Sequence, residues 1–405
     1  MAIPIQLTAA LRRFETQLAG PLEDDVRRNM RVEIVSAVAY GAFMATMMFV
    51  PAVLTRMGGT PALISIYVSL SYTGHIFSSV SLLVMRRVSP KTFAVIGWTL
   101  GRAALMLMAF ATNTASLLVL AAVLWLLEIV PGPAYTRILQ SIYPLAHRGK
   151  IMALVRFGMA LTILASTPLI GLGLDQLGYQ AVFPIASAVG VASALVFVKM
   201  CIVADPGRAA VHRSLVGAVR RVVHDRRFLM YQLGVVLFGL GALMANPLYP
   251  DVQINRLGLS YTDLGLLGLG QSVSWLIGYF LWGRIIDRYG ALRCVMFTFI
   301  IQAIAPLGYA FATAGWMLLP SFIAIGLVGA GGDIGFTTAC LELSDPEHIQ
   351  EYAAVQSTVI GLRGFVAPFL SIGLLGLGVL HTVVLLCSAA LVLAATLFVD
   401  RARRM

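Results

Sequence analysis

The chain has 405 residues, of which 59% are hydrophobic and only 12% charged, with a mean hydropathy of +0.88. So apolar a composition excludes a soluble domain. The formal net charge of +11 would raise nucleic-acid binding in a soluble protein, but here the placement of the charges decides their meaning.

Residues 1–31 lack a short apolar run between basic residues and a small-residue cleavage site, so they do not read as a cleavable signal. Leu7, Leu11, Phe14 and Leu18 recur at helical spacing beside Arg12 and Arg13 and stop near Pro21. The pattern predicts a helix on the membrane surface, with a partly ordered tail as the alternative. A membrane crossing needs about 20 apolar residues. Twelve such stretches follow: 32–55, 60–84, 91–111, 116–140, 150–174 and 179–203, then 228–251, 261–283, 291–312, 315–341, 352–376 and 379–399. Between the two sets lies 205–227, the longest polar stretch. There Val211, Leu215, Val219 and Val222 share a helical face beside Arg213, Arg220 and Arg221, which predicts a second surface helix against the inner leaflet.

The two sets repeat one another. Arg56-Met57-Gly58 returns as Arg256-Leu257-Gly258, His147 as His348 and Pro168 as Pro368. The expected fold is therefore an all-α integral membrane protein of twelve transmembrane helices. They form two duplicated six-helix bundles at 32–204 and 228–400, joined by the linker 205–227 and ending in a tail at 401–405. A solute site is expected between the bundles.

Of the 29 Lys and Arg, 24 lie in alternate loops and tails, and only Arg56 and Arg256 lie in the opposite set. By the positive-inside rule both termini and the linker are cytoplasmic, in a plasma or inner cell membrane, and the even span count agrees. The loop from Glu342 to Glu351 carries acids and no Lys or Arg, but acids weigh little in this rule. Topology thus accounts for the basic charge without nucleic acid. Cys201, Cys294, Cys340 and Cys387 show no paired or metal-ligand spacing and read as free thiols. No phosphate loop, His-Glu-x-x-His or Gly-x-Ser-x-Gly motif occurs, so no enzyme activity, cofactor or metal is expected.

After the eighth span, Gly283-Arg284-Ile285-Ile286-Asp287-Arg288-Tyr289-Gly290-Ala291-Leu292-Arg293 resembles the signature Gly-x-x-x-Asp-Arg-x-Gly-x-x-Arg of the major facilitator superfamily. Two further stretches are similar to looser patterns of that family. One is Pro168-Leu169-Ile170-Gly171 with Asp175, Gly178-Tyr179 and Phe183; the other is His224-Asp225-Arg226-Arg227-Phe228. The resemblance implies halves that rock about a central cavity, with Gly283, Asp287, Arg288, Gly290 and Arg293 as a gating motif. Asp287 is expected to pair with nearby Arg residues and to face a helix N-terminus. The first half departs from the pattern: Met85 stands in place of the signature Asp and Val88 in place of its last Gly. In span four Glu128-Ile129-Val130-Pro131-Gly132 occupies the place of the family's Arg-x-x-x-Gly.

Charge near the middle of a bilayer costs a few kcal/mol or more, so each such group needs a partner, a wet cavity or a proton. Glu128 in span four and Asp333 in span ten read as cavity-facing carboxylates that bind a cation or cycle a proton. The alternative is a fixed ion pair with Arg102 in span three or Arg363 in span eleven. Arg156 is placed shallower, as are Arg137 and Glu342, where side chains can snorkel. Pro131, Gly132 and Pro133 beside Glu128, and Gly329, Gly331, Gly332 and Gly335 around Asp333, mark helix bends or close packing. His75 and Asn246 are candidate cavity residues. Gln271 and Gln302 suit interhelical hydrogen bonds, and Trp98, Trp125, Trp275 and Trp282 suit packing.

The function expected is secondary active transport of a small solute by alternating access, proton-coupled through Glu128 or Asp333, with efflux or uptake open. Acids at midplane favour cationic or neutral solutes unless an arginine faces the same space. The expected partners are solute, proton and membrane lipid, and the expected state is a monomer. The rival expectation is a non-transporting scaffold or assembly factor of the same fold, handling hydrophobic pigments, lipids or another membrane protein. A polar cleft between the halves favours transport; a dry interface or a lipid-facing groove favours the rival.

Overall fold

The computed structural model describes residues 20–77, 81, 84–85, 87–202, 222, 224–345 and 348–405, the side chains of residues 75, 76, 146 and 350 apart. The surface helices expected at residues 7–18 and 211–222 fall, Val222 excepted, outside the described residues. Those described are helical, with no strand among them. In the first half the helices are α1 (Asp24–Met47), α2 (Val50–Arg56), α3 (Pro61–Ile76), α4 (Pro90–Met108), α5 (Thr114–Ile129), α6 (Gly132–Ile142), α7 (Leu145–Leu177) and α8 (Tyr179–Phe197). The second half has α9 (Arg226–Ala245), α10 (Leu248–Asp251), α11 (Tyr261–Tyr289), α12 (Ala291–Gln302) and α13 (Ile304–Phe311). It continues with α14 (Leu319–Gly331), α15 (Thr337–Leu343), α16 (Ile349–Gly376) and α17 (His381–Arg404).

Among the described residues ten segments are long and apolar enough to cross a membrane. The two other expected spans are helical over most of their described residues. In α4, Lys91 and Arg102 lower the hydropathy, and α3 has only 16 described residues before the gap at 78–80. Large apolar side chains such as Phe110, Leu169, Phe280 and Leu397 stand exposed, as lipid contact requires. All four cysteines are free thiols.

Several spans are broken where the sequence removes backbone donors or side chains. Pro131 and Pro133 separate α5 from α6. Pro247 starts α10, which runs into a π-helical turn at Val252–Arg256; a second π turn, Gly332–Phe336, joins α14 to α15. Such turns displace side chains from regular helical register and recur at functional sites. The repeated Arg-x-Gly motif ends a broken span in each half, with Gly58 at φ +86° and Gly258 at φ +63°, a conformation in which a Cβ is strained.

Toward these two turns the halves share one core, in which Phe49, Val53 and Leu54 pack with Leu248, Tyr249, Val252 and Tyr261. Toward the opposite end the core divides. Met30, Trp98, Tyr143 and Phe197 cluster in the first half, and Phe228, Tyr231, Phe299 and Val399 in the second. The halves thus share a core at one end and have separate cores at the other. Two helix pairs cross between the halves along its length, α7 with α11 and α3 with α16. Small residues let them approach: Gly171 lies against the Tyr261 backbone, and Gly265 and Gly268 lie against Thr167 and Pro168. Ser69 donates to the Phe365 carbonyl at 2.9 Å, tying α3 to α16.

A side chain at Gly171 would meet backbone atoms of Tyr261 and Thr262, which cannot rotate away. Gly171→Val should therefore cost about 1–3 kcal/mol and lower the unfolding temperature in detergent. Gly173→Ala, whose Cβ would meet Val182 at an ordinary 3.4 Å, should not. Equal unfolding temperatures for the two variants would refute the close crossing of α7 and α11.

Candidate functional site

The charged groups expected near midplane separate into distinct environments. Arg102 on α4 and Glu128 on α5 form a two-pronged pair, Nε to Oε2 at 3.0 Å and Nη2 to Oε1 at 2.9 Å. Both are buried, with 4% and 8% of their surface exposed. The remaining guanidinium nitrogen donates to the Gly190 carbonyl at 3.2 Å and to the Ser193 hydroxyl, both on α8. The Tyr40 ring covers the guanidinium at 4.5 Å and the Trp98 ring at 5.3 Å. At the Pro131 break the Glu128 carbonyl accepts the Trp98 indole N–H at 3.2 Å. Planar geometry, burial and satisfied donors make this a brace between three helices of one half.

Asp333 is placed differently. It lies on the π turn after α14 and is exposed, and its carboxylate accepts a hydrogen bond from the Tyr279 hydroxyl on α11 at 2.6 Å. Two residues to either side, Gly331 packs against Thr298 and Trp282, and Gly335 against Cys294. The glycine pair therefore serves close packing on one side of the turn and leaves Asp333 on the other. Among the described residues no arginine pairs with it.

Arg363 on α16 is buried without a carboxylate partner among the described residues. It donates to the Val235 carbonyl and faces the rings of Phe238 at 5.7 Å and Phe336 at 5.9 Å. Its stem runs over Gly239, where a Cβ would collide with it, and its Nε has no partner. Asn246 stands at the break between α9 and α10, flanked by the shared core residues Ala245 and Leu248. His75 lies on α3, but its side chain is outside the described ones.

Two groups not singled out as site residues belong to the interior. Glu33, in the third turn of α1, is 2% exposed and accepts hydrogen bonds from the hydroxyls of Tyr135 and, at 2.5 Å, Tyr143. Arg156 on α7 is exposed and makes no hydrogen bond or ion pair among the described residues. Its charge bears on Glu33, Tyr40 and Tyr135 of its own half and on Tyr279 of the other. One and two turns along α7, Met159 and Ile163 pack with Ala45, beside Tyr40 and Trp275. Trp275 in turn lies against Tyr279 with ring centroids 5.8 Å apart. Arg156 thus lies one turn from this contact between the halves on the first-half side, and Tyr279 with Asp333 on the second-half side.

In the gating motif, Gly290 turns the chain at φ +85° between α11 and α12. Arg288 and Arg293 lie over the Tyr289 ring at 5.3 and 5.8 Å. Asp287 is exposed and makes no hydrogen bond or ion pair among the described residues, which differs from the expected pairing. This motif lies at the divided end, where the halves share no core. The N-terminus of α12 is met instead by Glu342, whose two oxygens each lie 3.3 Å from the Ala291 N–H.

At the closed end, Arg56 reaches across the halves. It donates to the Leu259 carbonyl at 2.8 Å, lies 3.5 Å from an Asp175 oxygen and stacks 3.7 Å over the Tyr261 ring. Asp175 accepts the Tyr261 and Thr262 N–H groups at 3.0 and 2.7 Å, meeting the positive end of α11. A separate groove of about 310 Å³ between α12, α13 and α14 is lined only by apolar side chains, among them Ile301, Ile304 and Ile323.

The profile of the Major Facilitator Superfamily matches residues 32–368 and, in a second match, 233–404. A structure of a mutant nucleoside transporter NupG is similar with a TM-score of 0.76 at 12% identity, covering 94% of this chain and 100% of that one. A bacterial homologue of the human lysosomal transporter Spinster, inward-facing and occupied, gives a TM-score of 0.65 at 13% identity, covering 94% and 96%. Among curated proteins none matches in sequence. At such identities the structural likeness establishes the fold alone.

Glu128→Gln would strand the buried Arg102 charge, and breaking a pair of this kind costs about 3–5 kcal/mol. Folded yield and unfolding temperature should fall sharply and recover in the double variant Arg102→Met with Glu128→Leu. Asp333→Asn, exposed and still able to accept from Tyr279, should change stability by about 0.5 kcal/mol or less. Wild-type stability of Glu128→Gln would show that the pair is no brace.

Proposed function

The chain belongs to the major facilitator superfamily, and from that premise we propose that it is a monomeric secondary transporter, coupling a small solute to protons through Asp333. The observation that carries this reading is an exposed carboxylate within a span, held by one tyrosine hydroxyl and, among the described residues, by no cation. Such a group persists within a membrane only where water or a solute reaches it. A carboxylate at that place accepts a proton or a cationic group, and the choice between them links solute to proton.

Glu128 is the weaker candidate for the coupling group. Both of its oxygens are engaged by Arg102, and protonating it would leave that guanidinium uncompensated. Alternating access has its structural elements in the shared core at one end, the divided core at the other and the glycine-lined crossings between. With both termini cytoplasmic, the orientation the basic loops support, the divided end faces the cytoplasm and the latch at Arg56 and Asp175 lies on the outer side. The apolar groove beside α14 supports a second reading, the handling of a lipid chain.

Orientation is checked by thiol labelling in a cysteine-free background: Thr112→Cys should react with an impermeant reagent in intact cells, and Arg404→Cys only after permeabilisation. Transport is checked in proteoliposomes with a solute panel, with and without a pH gradient. Asp333→Asn mimics the protonated acid and should abolish gradient-driven accumulation while leaving solute exchange partly intact. Unchanged pH-driven accumulation by that variant would remove Asp333 from the coupling role, and solute-independent retention of lipid would favour the second reading.

A further inference from the structure

Arg156 and Asp333 are charges of opposite sign, both exposed, carried by different halves and not paired with each other. Most of the other interior charges are accounted for. Arg102 and Glu128 neutralise each other, and the Glu33 carboxylate already holds two tyrosine hydroxyls. Arg363 is buried against rings and a carbonyl. Glu33 lies near enough to Arg156 for a weak charge interaction and makes no hydrogen bond to it. This leaves, among the described residues, one interior cation without a hydrogen bond or ion pair and, on the other half, one anion with acceptor capacity to spare. Aromatic residues lie near both: Trp275 packs against Tyr279 in the second half, and Trp275 and Tyr40 of the first half pack against one cluster of Ala45, Met159 and Ile163.

Resting on the transport reading, we infer that the solute is a zwitterion, its carboxylate or phosphate taken by Arg156 and its ammonium group by Asp333. An anion alone would satisfy Arg156 and face an uncompensated carboxylate; a cation alone would meet the reverse. Each contact is a charge-assisted hydrogen bond, the strongest kind a polar solute can make. Because the two charges sit on different halves, a solute that binds both bridges them and favours closure over either contact alone. At Asp333 the ammonium group competes with a proton, so proton and solute exchange at one carboxylate. The Trp275 and Tyr279 rings give an apolar surface to the segment joining the charged groups.

The test uses the full-length protein in detergent, with binding measured calorimetrically for phenylalanine, 4-aminobutyrate and 6-aminohexanoate, and for hexylamine and hexanoate as single-charge controls. At least one zwitterion should bind about tenfold or more tighter than either control. Arg156→Gln should erase the advantage over hexylamine, and Asp333→Asn the advantage over hexanoate. The exchanged pair Arg156→Asp with Asp333→Arg should retain zwitterion binding, which covers the case in which a single variant fails to fold. Equal binding of zwitterion and control, binding insensitive to both single variants, or no binding by any zwitterion overturns the inference. Proton-driven transport of a solute bearing one charge would overturn it while leaving the transport reading intact. Absence of transport for every solute, with lipid retained, would defeat that reading instead.

Discussion

The constraint on which the interior depends is the cost of an ion in hydrocarbon. Three solutions to it occur side by side. Arg102 and Glu128 cancel within one half and share further bonds with α8. Arg363 is spread over two ring faces and a backbone carbonyl, with Gly239 leaving room for its stem. Arg156 and Asp333 remain exposed. A charge solved by pairing is fixed in place, because separating it restores the full desolvation cost. A charge solved by water is free to change partner, and only such a group can follow a transport cycle.

Duplication supplied two copies of each element, and the copies have been put to different uses. The repeated Arg-x-Gly turn shows this clearly. Arg256 caps its own half, donating to the Tyr309 and Ala312 carbonyls at the end of α13. Arg56 crosses to the other half and meets Leu259, Tyr261 and Asp175. The same residue at the same turn is a terminal cap in one copy and a clasp in the other. Asp175 completes the asymmetry by receiving two N–H groups from the start of α11, so closure of that end is made by hydrogen bonds as well as by the shared core.

The helical class and the placing of most spans were legible because hydropathy over about 20 residues is a strong signal. The break at Pro131 was also visible, since proline removes a donor wherever it stands; that at Pro247 was not singled out. Side-chain partners were less so. Sequence placed Glu128 and Arg102 at similar depth and allowed a fixed pair, but depth alone does not say which faces meet across α4 and α5. Arg156 was read as shallow by counting from the start of its span; α7 begins at Leu145, and one turn on from Arg156 the Met159 side chain packs in the cluster that also meets Trp275 of the other half. Glu33 stands at the edge of the first predicted span and was not singled out. The two tyrosines that hold it, more than a hundred residues away, offered a signal only once α1 and α6 were seen together.

The divided end explains why the gating motif is unengaged. A brace between halves needs both surfaces within hydrogen-bond reach, and here the cores of the two halves are separate around Asp287. Its anion can be satisfied by water while that end stays open; on closure it must find a cation or a helix N-terminus, or pay the desolvation cost. The same logic governs the cleft. Closing it would strip water from Arg156 and Asp333 together, so the closed form has to supply each with an opposite charge. A bridging zwitterion does so in one step, and a proton on Asp333 removes one of the two charges before closure. Arg102 and Glu128 already meet this demand within one half and therefore contribute rigidity to it.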